Sequence, residues 1–133
     1  MTVQGRVLVA GTAQGPLLRL AEPISFWGGV DPASGRITQP RHPDHQRCIS
    51  GQVLALPGNI GSSSSSAILL ELMYNNRAPL ALLLAEPDAI LALGVVVARE
   101  MGYGTIPVIH CDVSSLPGGG EVQIDAHGGI SPG

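Results

Sequence analysis

Gly61-Ser62-Ser63-Ser64-Ser65-Ser66 is the stretch whose residue types are best suited to chemistry. It follows an apolar run that stops at Leu56, and Pro57 and Gly58 turn the chain before it. Ile68, Leu69, Leu72 and Met73 then recur at helical spacing, so the serines open a helix. Serine is a strong N-cap. The first turn of a helix leaves amide N–H groups unpaired at the positive end of the macrodipole, where a carboxylate or phosphate binds readily. Gly61 allows a ligand close to the backbone. A Ser62 hydroxyl set among those amides has its alkoxide stabilised by the same donors and can accept a proton, while the amides near Gly61 and Ser63 hold negative charge nearby. The spacing specifies an anion site. It does not by itself separate a reacting serine from serines that only cap.

Other candidates are weaker. Asp31, in Gly28-Gly29-Val30-Asp31-Pro32, can orient a ligand, but Asp before Pro is also an ordinary turn former. His42, His45 and Cys48 are metal-ligand types at even spacing. A closed zinc site needs four ligands and no fourth is evident, so the segment reads as a solvated loop beside Arg41 and Arg47. Cys48 and Cys111 are too few to hold an iron–sulfur cluster or to build a disulfide framework. His110, Cys111 and Asp112 are consecutive on a strand and alternate faces, which argues against a Cys/His pair. No Gly-Lys-Ser/Thr is present, which removes the common P-loop signature.

The elements that must position these residues are short. The chain has 133 residues and 44% apolar content, enough for one domain, residues 1–133, with its own core. Gly5–Ala10, Leu17–Leu20, Ile24–Trp27 and Gly51–Leu56 are strand candidates, separated by a turn-rich loop through residues 26–45. The first long helix runs from Ser62 to Asn76, ended by the Asn75-Asn76 pair. Ala78–Leu84 is a buried strand. Pro87 opens a second helix that runs to about Met101 with Gly102 as its stop, and its apolar stretch Ile90–Val97 should be deeply covered. Ile106–His110 and a final strand, Glu121–Ala126, complete an α/β fold: one mixed sheet or half-barrel with two principal helices against it.

Net charge is −3 and only seven residues are Lys or Arg, which excludes a basic stripe for nucleic acid. No apolar run reaches the length of about 18 residues that a membrane-spanning helix requires. The opening MTVQGRVLVAG reads as a strand rather than a signal peptide, and two thiols without a framework suit a cytoplasmic protein.

The whole chain resembles the small subunit, or swivel domain, of the aconitase X branch. The matching landmarks are GRVLVAGTAQGPLLRL, FWGGVDPASGRI, His42-Pro43, LPGNIGSSSSSAILLEL, AEPDAILALGVVVA and Ile106-Pro107-Val108, in that order over nearly the full length. GGVDPxxG together with GSSSSS is fairly specific, and either alone is weak. The resemblance implies a swivelling β/β/α domain that closes over a large subunit in a heterodimer. The large subunit carries an iron–sulfur cluster, which acts as Lewis acid on the leaving hydroxyl, and this chain binds no cofactor or metal itself. It further implies that Ser62 is the base of a dehydration, a hydro-lyase reaction, and that the isolated chain is inactive. In ordinary aconitases an arginine follows the two serines and grips a carboxylate. Here Ser64 stands in that place, so citrate activity is not expected. The substrates implied are small hydroxy acids: cis-3-hydroxy-L-proline is favoured, and phosphomevalonate is the alternative. Outside enzymology, the same helix start would serve a free-standing anion-binding module, and the loop 26–48, with Trp27, an interaction surface.

Overall fold

A computed structural model describes residues 2–58 and 64–133. Gly61, Ser62 and Ser63 lie outside the described residues. The described chain forms one mixed sheet: β1 (Val3–Gln4), β2 (Arg6–Val9), β3 (Ala13–Arg19), β4 (Val53–Leu56), β5 (Ala81–Leu84), β6 (Val108–His110), β7 (Glu121–Ile124) and β8 (Gly129–Pro132). The spatial order is β1-β8-β7-β3-β4-β5-β6-β2. The central strands β3, β4, β5 and β6 are parallel and the remaining pairings are antiparallel.

β1 and β2 occupy opposite ends of that order although only Gly5 separates them in the chain. One extended segment therefore pairs with β8 on one side and β6 on the other, and the sheet nearly closes into a barrel. The closure needs glycine. A Cβ on Gly5 would meet Ile109 at 2.2 Å, and one on Gly128, at φ +85°, would lie 2.7 Å from the Gly5 carbonyl. Closure also removes the open edges that invite unwanted pairing.

Alternation along the strands sorts two cores. Leu17, Val53, Ala55, Ala81, Leu83 and Ile109 fill the barrel. Leu18, Leu54, Leu56, Leu82, Leu84 and Val108 face the helices. β4 and β5 are buried at every position because both faces are covered, which explains their unbroken apolar sequences. Two barrel walls and a helix layer make the β/β/α arrangement.

Three helices are described: α1 (Phe26–Gly29), α2 (Ser64–Tyr74) and α3 (Ala89–Glu100). α2 packs Ile68, Leu69, Leu72 and Met73 on the sheet. Asn76, at φ +60°, ends it in a Schellman motif, with Arg77 N–H donating to Leu72 O at 2.8 Å and Asn76 N–H to Met73 O at 3.2 Å. α3 ends the same way at Gly102, with Tyr103 N–H on Ala98 O at 2.9 Å.

Several sequence expectations are corrected. Ile24–Trp27 is not a strand. Phe26–Gly29 is a kinked helical turn with Gly28 at φ +79°, and Phe26 plugs the core while Trp27 stays outside. Pro87 lies before α3 rather than in its first turn: Asp88 caps the helix, accepting from Ile90 N–H at 2.9 Å and Leu91 N–H at 3.1 Å. α3 is not covered on all sides, for Leu93 is 56% exposed. β3 starts at Ala13 rather than Leu17, and β8 adds a strand after the one expected to be last.

Candidate functional site

The four parallel strands end on one side of the barrel, and the chain leaves each of them there. Arg19 ends β3, Pro57 follows β4, Ala85 follows β5, and Cys111-Asp112 follow β6. These residues, with Ser114, line an open cavity of about 380 Å³. The carboxyl ends of parallel strands are where ligands settle in open α/β sheets, because loops and helix starts converge there. β4 passes the chain through Pro57 and Gly58 toward the serine run, and Ser64 opens α2.

Arg19 has the same facing as Leu17, toward the barrel interior, at the position where that interior opens. Its guanidinium Nη1 donates to Leu116 O at 2.9 Å, which fixes the side chain under the 113–116 turn. Asp112 caps that 3-10 turn. Its carboxylate accepts from Ser114 N–H at 3.1 Å, from the Ser114 hydroxyl, and from the Ser115 hydroxyl at 2.8 Å. The Ser114 and Ser115 hydroxyls, and more weakly the Arg19 charge, hold its pKa below the usual carboxylate value. Burial pushes the Cys111 thiol up to about 11, with the Asp112 charge adding to the effect, so this sulfur stays protonated at neutral pH.

The residues named from sequence are placed unequally. Ser64 is the first residue of α2 and is half-buried. Ser65 is fully buried and its hydroxyl has no hydrogen-bond partner among the described residues. Asp31 sits elsewhere. Its carboxylate accepts from Ala33 N–H at 3.1 Å and the Ser34 hydroxyl at 2.7 Å, and these bonds, Ser34 first, lower its pKa. Asn75, just past the end of α2, donates to Pro32 O at 2.9 Å, tying the Asp31 turn to that end of the helix. α2 has 11 residues, which at 1.5 Å each separates its ends by about 16 Å. The structure does not bring Asp31 together with Ser64.

The solvated-loop reading of residues 42–48 is also corrected. His42 and Asp44 are buried. His42 Nδ1 accepts from Asp44 N–H at 3.0 Å and Nε2 bonds Glu22 O at 3.0 Å, which requires the neutral tautomer protonated on Nε2. Asp44 accepts from Ala21 N–H at 3.1 Å and from Arg47 at 3.2 Å. The loop thus clamps residues 21–22, the segment next to Arg19. It does not gather metal ligands: His45 bonds Gln39 O and Cys48 bonds Ser34 O, each turned to a different partner from His42. Cys48 on that loop and Cys111, which packs into the barrel core, do not fit an iron–sulfur cluster held by this chain.

Arg19 was missed by the sequence reading. The available signal was a cation at the barrel-facing parity of a strand end, which becomes visible only once β3 is known to start at Ala13. The orphaned Ser65 hydroxyl carries its own prediction. A buried hydroxyl with no partner costs roughly 1–3 kcal/mol of desolvation. Ser65→Ala should therefore leave the melting temperature unchanged or raise it, as measured by circular dichroism, whereas a clear drop would reveal a bond to that oxygen.

The family model described as the aconitase X swivel domain matches residues 2–131. Cis-3-hydroxy-L-proline dehydratase from Pseudomonas aeruginosa is 50% identical over 103 residues, covering 77% of this chain and 18% of that protein. The chain thus spans under a fifth of the length of that relative. Phosphomevalonate dehydratase small subunit from Methanothermobacter thermautotrophicus is 37% identical, with 97% of both chains covered. The crystal structure of Thermococcus kodakaraensis aconitase X in its holo-form superposes with a TM-score of 0.89 at 33% identity, over 98% of this chain and 97% of that one.

Proposed function

This chain belongs to the aconitase X swivel domain family, and on that premise we propose that it is the small subunit of an aconitase X-type dehydratase in which Ser62 is the base. The supporting observation is the family match over residues 2–131, together with an open, charged cavity at the carboxyl ends of the parallel strands, where Pro57 leaves β4. In this reading Ser62 Oγ, as alkoxide, takes the proton from the carbon next to the substrate carboxylate. That C–H pair becomes the new double bond, and the hydroxyl on the neighbouring carbon leaves as hydroxide, which together with the proton taken by Ser62 makes up the water lost. Backbone amides near Gly61 and Ser63 stabilise the basic oxygen, and Ser64 contributes to holding the substrate. The iron–sulfur cluster resides in a large subunit, since the two thiols here cannot hold one. Closure of the two subunits, in the cytoplasm, excludes water and completes the site.

We take cis-3-hydroxy-L-proline as the substrate, following the relative that shares half its residues with this chain over the matched region. The product is a cyclic enamine that tautomerises to an imine. The second reading is phosphomevalonate, favoured by relatives named as phosphomevalonate dehydratase small subunits, which this chain matches over 97% and 96% of their length. Affinity capture from the native cell should bring down a larger iron–sulfur protein, and the complex should dehydrate cis-3-hydroxy-L-proline. A chain recovered without a partner, binding small anions on its own, would support a non-enzymatic binding module instead.

A further inference from the structure

Arg19 and Asp112 place a guanidinium and a carboxylate on the lining of one cavity, and among the described residues neither charge exhausts its hydrogen-bonding capacity. A guanidinium has five N–H donors. Among the described residues the bond to Leu116 O is the one Arg19 makes, so its remaining donors are available in the fork geometry that suits a carboxylate. Asp112 accepts three hydrogen bonds from Ser114 and Ser115, while an ionised carboxylate offers about four acceptor positions. The same three bonds hold its pKa below the usual carboxylate value. The cavity, about 380 Å³, is within the size range of small-molecule sites.

We propose that this pair recognises a zwitterion, with Arg19 holding the carboxylate of the substrate and Asp112 its protonated nitrogen. The inference rests on the reading of this chain as a dehydratase subunit working at this end of the barrel. An α-amino acid carries both charges on one carbon, so a single small molecule meets both side chains. A phosphate ester carries only negative charge and would meet the Asp112 carboxylate as a like charge. Two buried anchors make the placement reproducible. Leu116, whose carbonyl orients Arg19, packs into the barrel core, and the His42–Asp44 clamp holds the chain just beyond Arg19.

The test uses the complex with its large subunit, made with Ser62→Ala so that bound substrate is not consumed. Calorimetry with cis-3-hydroxy-L-proline should show Arg19→Gln and Asp112→Asn each weakening binding at least tenfold. The N-acetyl derivative, which has no charge on nitrogen, should lose affinity with Arg19→Gln but not with Asp112→Asn. A merely structural role for Asp112 would weaken both ligands alike. Turnover of the unmodified Ser62 complex, measured separately, reports on the base, so failure of that assignment leaves the binding result standing. Binding within twofold of the parent in both variants overturns the proposal, as does a complex that binds phosphomevalonate and not the amino acid.

Discussion

Ser62→Ala, in the complex with the large subunit, is expected to lower kcat by about a thousandfold, within the range of roughly 10²–10⁴ that a positioned general base contributes. Alanine removes one oxygen and keeps the backbone amides, so the anion-binding character of the segment should persist. Subunit association by gel filtration and substrate affinity by calorimetry should both stay near the parent values. The fall therefore belongs in kcat, the signature of an interaction made in the transition state alone. Ser65→Ala provides the contrast. It removes a hydroxyl from the same run, but one turned into the core, and is expected to spare turnover if that oxygen only occupies space. Full activity in Ser62→Ala would place the base on another residue and end the serine account.

Much of the frame around that serine is legible in the sequence because it is local. The period changes from an apolar strand to a helical stripe within a few residues of Leu56, and Pro57-Gly58 mark the change. Asn76 and Gly102 announce helix ends because only certain residues adopt positive φ there cheaply, and both do adopt it. The barrel is not local. Nothing near Gly5 says that residues on its two sides pair with strands at opposite ends of the sheet, and that closure depends on partners more than 100 positions away, as with Val3 and Ile130. The same limit hid the pairing of one cation with one carboxylate at the barrel mouth. Arg19 and Asp112 come together only through the parallel pairing of β3, β4, β5 and β6. His42 and Asp44 look like loop residues by composition. They are buried because they satisfy the backbone of residues 21–22, a debt that a one-dimensional reading cannot locate. Asp31 shows the opposite case: its carboxylate bonds Ala33 and Ser34 within its own turn, so the turn-forming role was local and legible.

Gly94→Val should damage both the packing of the helix layer and turnover. Gly94 lies on the buried face of α3, where a Cβ would stand 2.9 Å from Ser66 O and 3.1 Å from Ser66 Cα. Both are backbone atoms of α2, so no side chain can swing aside and the two helices must part. Gly94→Ala sets two effects against each other, a gain of about 1 kcal/mol in helix propensity and the cost of that overlap. Valine adds two methyl groups to the overlap and gives back most of the propensity gain, so overpacking of about 1–3 kcal/mol governs. The melting temperature should fall by several degrees. Turnover in the complex should fall as well, because Ser66 belongs to the first turn of α2 and displacing it shifts the start of the helix that Ser62 precedes in the chain. Leu93→Ala, one residue away on the exposed face, should leave both the melting temperature and turnover close to the parent. If Gly94→Val melts with the parent, α2 and α3 do not approach as closely as this packing requires, and the positioning of the serine run has to be sought in other contacts.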